Sequence, residues 1–177
     1  MNQQPVHSET TRWLEKYVEE TFSMHIPLTD PSFQSVWNFL FLWGLYEAEL
    51  MNNHTSARNV WNNCGVFAPE VKAVDHFYEI IHQRYVDENQ HINVVFDQLC
   101  FREEEGKYKD DIKSFLLSAN TSDEEKNKVC RMILWRYRNN LFHGKKELKS
   151  IWKQLDFFEE ANVYLKSGLE NKTGIRL

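Results

Sequence analysis

Apolar residues recur at helical spacing along nearly the whole chain. Trp13, Leu14, Tyr17, Val18 and Phe22 mark one face of a first helix that starts near Ser8. The pattern breaks between Pro27 and Pro31, where Asp30 and Pro31 predict the cap and first position of a second helix. That helix carries Phe33, Val36, Trp37, Phe39, Leu40, Leu42, Trp43 and Leu45 on most of its sides, so it is expected at the buried centre. Its Gly44 would allow another helix to pack closely. A short helical piece is expected over residues 55–63. A third long helix, about residues 68–86, would point Val71, Val74, Phe77, Tyr78, Ile81 and Tyr85 inward. Shorter helices follow around Val94 to Phe101 and through Ile112, Phe115 and Leu116, separated by a turn at residues 103–106.

Ser122 with Glu125 three positions on is a capping box. It predicts a helix through Val129, Ile133, Leu134, Tyr137 and Leu141 that stops at Gly144, a good terminating residue. A last helix is expected over about residues 146–166. No segment alternates strongly enough to be a strand. The expected architecture is an all-α bundle with additional short helices, one domain over residues 1–167, and a flexible tail over residues 168–177. A length of 177 residues suits one full core, and only six Gly and four Pro disfavour a turn-rich sandwich or barrel.

Composition narrows the setting. Cys64, Cys100 and Cys130 are far apart and form no CxxC pair, which fits a reducing compartment. The first residues lack the basic and apolar regions of a signal peptide, and the longest apolar stretch falls well short of the ~20 residues a span needs. A cytoplasmic protein with no membrane partner is expected. Glu79-Ile80-Ile81-His82 and Glu88-Asn89-Gln90-His91 match half-sites of a carboxylate-bridged metal pair by pattern. Four matching buried carboxylates are not evident, so no metal and no cofactor is expected.

The net charge of −5 argues against a nucleic-acid binder, but its distribution does not. Residues 126–153 hold nine Lys and Arg against Glu147 alone, so an acidic body carries one basic segment. A solvated helix surface would read the same way. Within this segment lies Arg136-Tyr137-Arg138-Asn139-Asn140-Leu141-Phe142-His143-Gly144. Arginine grips phosphate through a planar fork, and histidine moves protons near neutral pH. On a regular helix Arg138 and His143 lie about 140° apart, so they meet only if the last turn unwinds before Gly144. Asn139, four residues before His143, could bond its ring.

The stretch Arg138-Asn139-Asn140-Leu141-Phe142-His143 resembles the HEPN family motif, an arginine followed after four to six residues by a histidine, usually with a polar residue next to the arginine. The resemblance implies a helical bundle that commonly dimerises to bring two motifs into one cleft. It implies a metal-independent endoribonuclease of toxin or antiphage-defence type, with Arg138 and His143 catalytic and Asn139 supporting. Arg136, Lys145 and Lys146 would add contacts to RNA phosphates. The implied partners are an RNA substrate, a second copy of the chain, and a cognate antitoxin or defence-system protein. A toxin subclass has a tyrosine two residues after the histidine, which its antitoxin modifies; Lys145 stands there in this chain. Two other readings stay open: a non-catalytic RNA- or nucleotide-binding HEPN module, and a helical scaffold whose basic helix docks an acidic protein.

Overall fold

In the computed structural model, residues 9–22, 33–51, 55–63, 66–142 and 153–175 are described. They form seven α-helices: α1 (Glu9–Phe22), α2 (Gln34–Met51), α3 (Ala57–Trp61), α4 (Val71–Tyr85), α5 (Gly106–Leu117), α6 (Asp123–Phe142) and α7 (Leu155–Thr173). Two 3-10 turns, Val94–Leu99 and Glu103–Glu105, link α4 to α5. Among the described residues the only extended pairing is a single antiparallel bridge between Val86 and Ile92. The fold is all-α.

The helices pack around α6. It contacts α3, α4, α5 and the Val94–Leu99 turn, while α2 lies along α7 and α4 touches both α6 and α7. The start of α6 follows the expected capping box: the Ser122 amide donates to Glu125 Oε2 at 2.8 Å, and the Glu125 amide donates to Ser122 Oγ at 3.4 Å. The Ser122 bonds also hold the Glu125 carboxyl below its ordinary pKa. Behind α6 a run of aromatic rings crosses the bundle. Tyr46 meets Phe67, Phe67 meets Tyr164, Tyr164 meets Phe77 and Phe77 meets Phe157, with centroids 5.1 to 5.4 Å apart. Tyr137 of α6 closes the series by stacking on Phe157 at 4.3 Å. The four separations of 5.1 to 5.4 Å fall within the favourable range for ring pairs, and the Tyr137–Phe157 stack is slightly closer.

Several expectations change. The central helix is α6, not α2. Val36, Phe39, Trp43, Tyr46 and Leu50 bury one side of α2, but Trp37, Phe41 and Leu45 are exposed on the other. A Cβ at Gly44 would meet nothing within 4 Å, so none of the described helices uses that gap. Val71, expected inward, is 54% exposed at the first turn of α4. The last helix begins at Leu155, and the expected caps at Asp30, Pro31 and Gly144 lie outside the described residues.

The chain from residue 168 to 173 is helix rather than tail. Gly168 is the reason this stretch misleads: a Cβ there would sit 2.0 Å from Phe67 Cε2. Phe67 is fully buried, so its ring has no room to yield. Gly168→Ala gains helix propensity but overpacks the core, and it is expected to destabilise the fold by about 2 kcal/mol. Urea unfolding checks this, and an unchanged midpoint would show that the Phe67–Gly168 contact is not tight.

Candidate functional site

From residue 129 to residue 140, every side chain of α6 is buried except Arg138. The helix is enclosed because its neighbours cover it on several sides, and its Val129, Met132, Ile133 and Leu134 have no exposed surface. Arg138 is thus the one opening in this part of the helix, with 29% of its side chain exposed. Its Nη2 meets Glu47 Oε2 of α2 at 3.2 Å, and its Nη1 donates to Asn139 Oδ1 at 3.1 Å. Asn139 is itself buried, and its amide oxygen helps aim the arginine; the bond expected from it to His143 lies outside the described residues. Glu47 lies 91 residues away, and no local pattern in the chain marks it as a partner.

Arg136 is not available to a phosphate, contrary to the expectation from its place in the motif. It is 2% exposed. Its Nε donates to the Leu99 carbonyl at 2.9 Å, and its Nη2 donates to the carbonyl of Cys100 and to Asn140 Oδ1. Its Nη1 pairs with the buried Glu105 carboxylate at 3.2 Å. The guanidinium carbon lies within 6 Å of both the Trp135 and Phe101 rings. Burial lowers its pKa from the ordinary arginine value and Glu105 opposes that shift. Asn140 completes the junction by donating to the Leu99 carbonyl at 3.1 Å. Arg136 therefore fastens the end of the Val94–Leu99 turn to α6.

Arg131 does the same for α3. Its Nε donates to the Val60 carbonyl at 3.0 Å and its Nη2 to that of Trp61 at 3.3 Å. These are helix-end carbonyls, which need donors from outside the helix. Lys126 pairs with Asp75 at 2.6 Å, a hydrogen bond that raises the lysine pKa, and Lys128 pairs with Glu124 at 2.8 Å. The described part of the basic segment is thus mostly internal fastening and local ion pairs. His143, Lys145, Lys146 and Lys149 lie outside the described residues.

No protein-family model, curated protein or solved structure matches the chain. The site must be read from its own chemistry. A partly exposed guanidinium, aimed by a buried amide and paired with the Glu47 carboxylate, can receive an anion that displaces Glu47. Planar oxyanions such as carboxylate, and the oxygens of phosphate, suit its paired donors. Among the described residues no three His, Cys, Asp or Glu side chains come together as metal ligands. None of the described helices is long and apolar enough to cross a membrane.

Proposed function

We propose that the chain is an endoribonuclease of HEPN type that needs no metal, with Arg138 and His143 from two protomers forming a composite site. The observation that carries this reading is the exposure of Arg138 alone within a buried stretch of α6, at the head of the Arg-Asn-Asn-Leu-Phe-His motif. Besides bridging α6 to Glu47 of α2, this cation keeps part of its surface accessible within that buried stretch. Such access is what a group that must touch a ligand requires.

In the proposed reaction the ribose 2′-oxygen attacks phosphorus. The new 2′-O–P bond forms as the P–O5′ bond breaks, leaving a 2′,3′-cyclic phosphate and a 5′-hydroxyl. His143 takes the 2′-hydroxyl proton, and an imidazolium returns one to the leaving 5′-oxygen. Arg138 stabilises the charge that builds on the phosphorane oxygens. A toxin or antiphage-defence role, in the cytoplasm and with a cognate partner protein, goes with this reading.

The Arg138–Glu47 pair supports a second reading, an RNA- or nucleotide-binding module that does not cut, because a carboxylate already occupies the arginine. RNA incubated with the full chain in EDTA separates the two. Cleavage to 2′,3′-cyclic phosphate ends, blocked by a 2′-deoxy nucleotide at the cut site, is expected. Salt-dependent binding with every RNA left intact would favour the second reading and overturn the first.

A further inference from the structure

Trp37, Phe41 and Leu45 follow one another at one-turn spacing on the outer side of α2, and they are 46, 77 and 50% exposed. Gly44 lies among them with open space where a side chain would be. No charged residue occurs between Phe33 and Tyr46. Beside this ridge runs a groove of about 480 Å³ whose apolar walls include Leu42, Leu45, Leu169 and Ile175. Lys166 and Glu170 on its rim pair with each other at 3.4 Å. On its other flank Phe41 shares a hollow with Val163 of α7, which is 54% exposed.

We propose that this face is where a second copy of the chain docks. The first argument is area. Trp37, Phe41, Leu45 and Val163 together expose roughly 400 Å² of apolar side chain, given the size of such residues. A stable interface takes about 800 Å² from each partner, a little over half of it apolar. The ridge therefore supplies the apolar part of an ordinary dimer contact.

The second argument is self-complementarity. A two-fold contact uses the same patch on both copies, so the patch must present a projection and its own receptacle. Here the Phe41 ridge and the Leu42–Leu169 groove lie side by side, and a two-fold axis between them would seat each ridge in the other copy's groove. Charge points the same way. The chain carries a net −5, and two acidic copies approach most readily where charge is sparse: the ridge has none, and the groove carries Glu49 with the paired Lys166 and Glu170. A partner chosen by opposite charge would need ionised residues on this ridge, and it has none. Gly44 adds a fourth point. Glycine within a helix is destabilising relative to alanine, and none of the described neighbours needs the gap. A helix from a second copy crossing at Gly44 would use it.

Glu47, three residues beyond Gly44 on the same helix, holds Arg138. A composite site built from two Arg138 side chains rests on the reading above; the docking face does not.

Light scattering and analytical ultracentrifugation of the full chain test the proposal. The wild-type chain is expected to be a dimer, and Phe41→Glu or Leu45→Lys to raise the dissociation constant at least about 30-fold, the effect of a central hot-spot residue. Val71→Glu, at an exposed apolar site on α4, should leave the dimer intact and serves as control. Circular dichroism should be unchanged in all three variants. A wild-type monomer at the highest soluble concentration would overturn the proposal. So would a dimer that survives both α2 substitutions, or a monomer in which Trp37 is shielded from a quencher by another part of the chain. RNA cleavage read on the same samples keeps the two readings apart. A dimer through α2 that cuts no RNA leaves this face standing and removes the nuclease. A monomeric Phe41→Glu that still cuts leaves the face standing and removes the composite site.

Discussion

Arg136→Ala is expected to lower stability by about 3–5 kcal/mol, the usual result of removing one partner from a buried ion pair. Four interactions fail together. Glu105, 2% exposed, keeps a carboxylate with no cation beside it, and the carbonyls of Leu99 and Cys100 and the Asn140 amide oxygen each lose a donor. A domain of this size has only about 5–15 kcal/mol to lose, so the variant should unfold at much lower urea concentration and melt well below the wild type. Arg136→Met combined with Glu105→Leu should recover part of the loss, because two apolar groups no longer leave a stranded charge. It should stay roughly 1–3 kcal/mol short, since the Cys100 carbonyl and the Asn140 amide oxygen lose the arginine's donors while Asn140 still serves the Leu99 carbonyl. A stable Arg136→Ala protein with weakened RNA binding would instead restore the phosphate contact that its place in the motif suggests.

Two residues further along the same helix, the expected result is the reverse. Arg138→Ala should leave the melting temperature almost unchanged, because a partly exposed ion pair is worth about 0–1 kcal/mol. RNA cleavage, measured as initial rate at saturating RNA, should fall by about 10²–10³-fold, the usual loss when one stabilising donor to an oxyanion is removed. His143→Ala should lower cleavage as severely. Arg138→Lys keeps the charge but loses the planar fork and should recover only part of the rate. Glu47→Gln keeps an acceptor for Nη2 while removing the competing anion, so RNA should bind about 2–5-fold more tightly, matching the modest worth of such a pair. Cleavage that persists undiminished in Arg138→Ala would end the nuclease reading, whatever the oligomeric state.

How far the sequence could be read depended on how local the determining contacts were. The capping box of α6 joins residues three apart, and the inward face of α4 follows from spacing alone, so both were visible. Arg131 and Arg136 were misleading because their partners are carbonyls 71 and 37 residues away. A charge count gives a buried guanidinium and a surface one the same weight. One signal was present: between Val129 and Tyr137 every residue except the two arginines is apolar, which marks a helix enclosed on all sides and its cations as internal. The outer side of α2 failed for the opposite reason. Its charge-free run has the composition of a buried helix, yet the fold covers only one side of it. Glu47 could not be found at all, because only the placement of α2 against the end of α6 brings it to Arg138.

The two buried arginines also decide how the molecule comes apart. α3 is five residues long and the Val94–Leu99 turn six, too short for either to persist by itself. Each ends on carbonyls held by a guanidinium rooted in α6. Opening either segment means drawing that cation from its enclosed seat, so neither should breathe as an independent surface loop. In native-state hydrogen exchange, the bonded amides of Val60, Asn62, Phe96 and Cys100 are expected to exchange with the slow amides of α6, as members of one cooperative unit. Exchange at loop rates there would show the fastenings to be weak. Two short pieces that resemble linkers would thus report on the unfolding of the central helix itself.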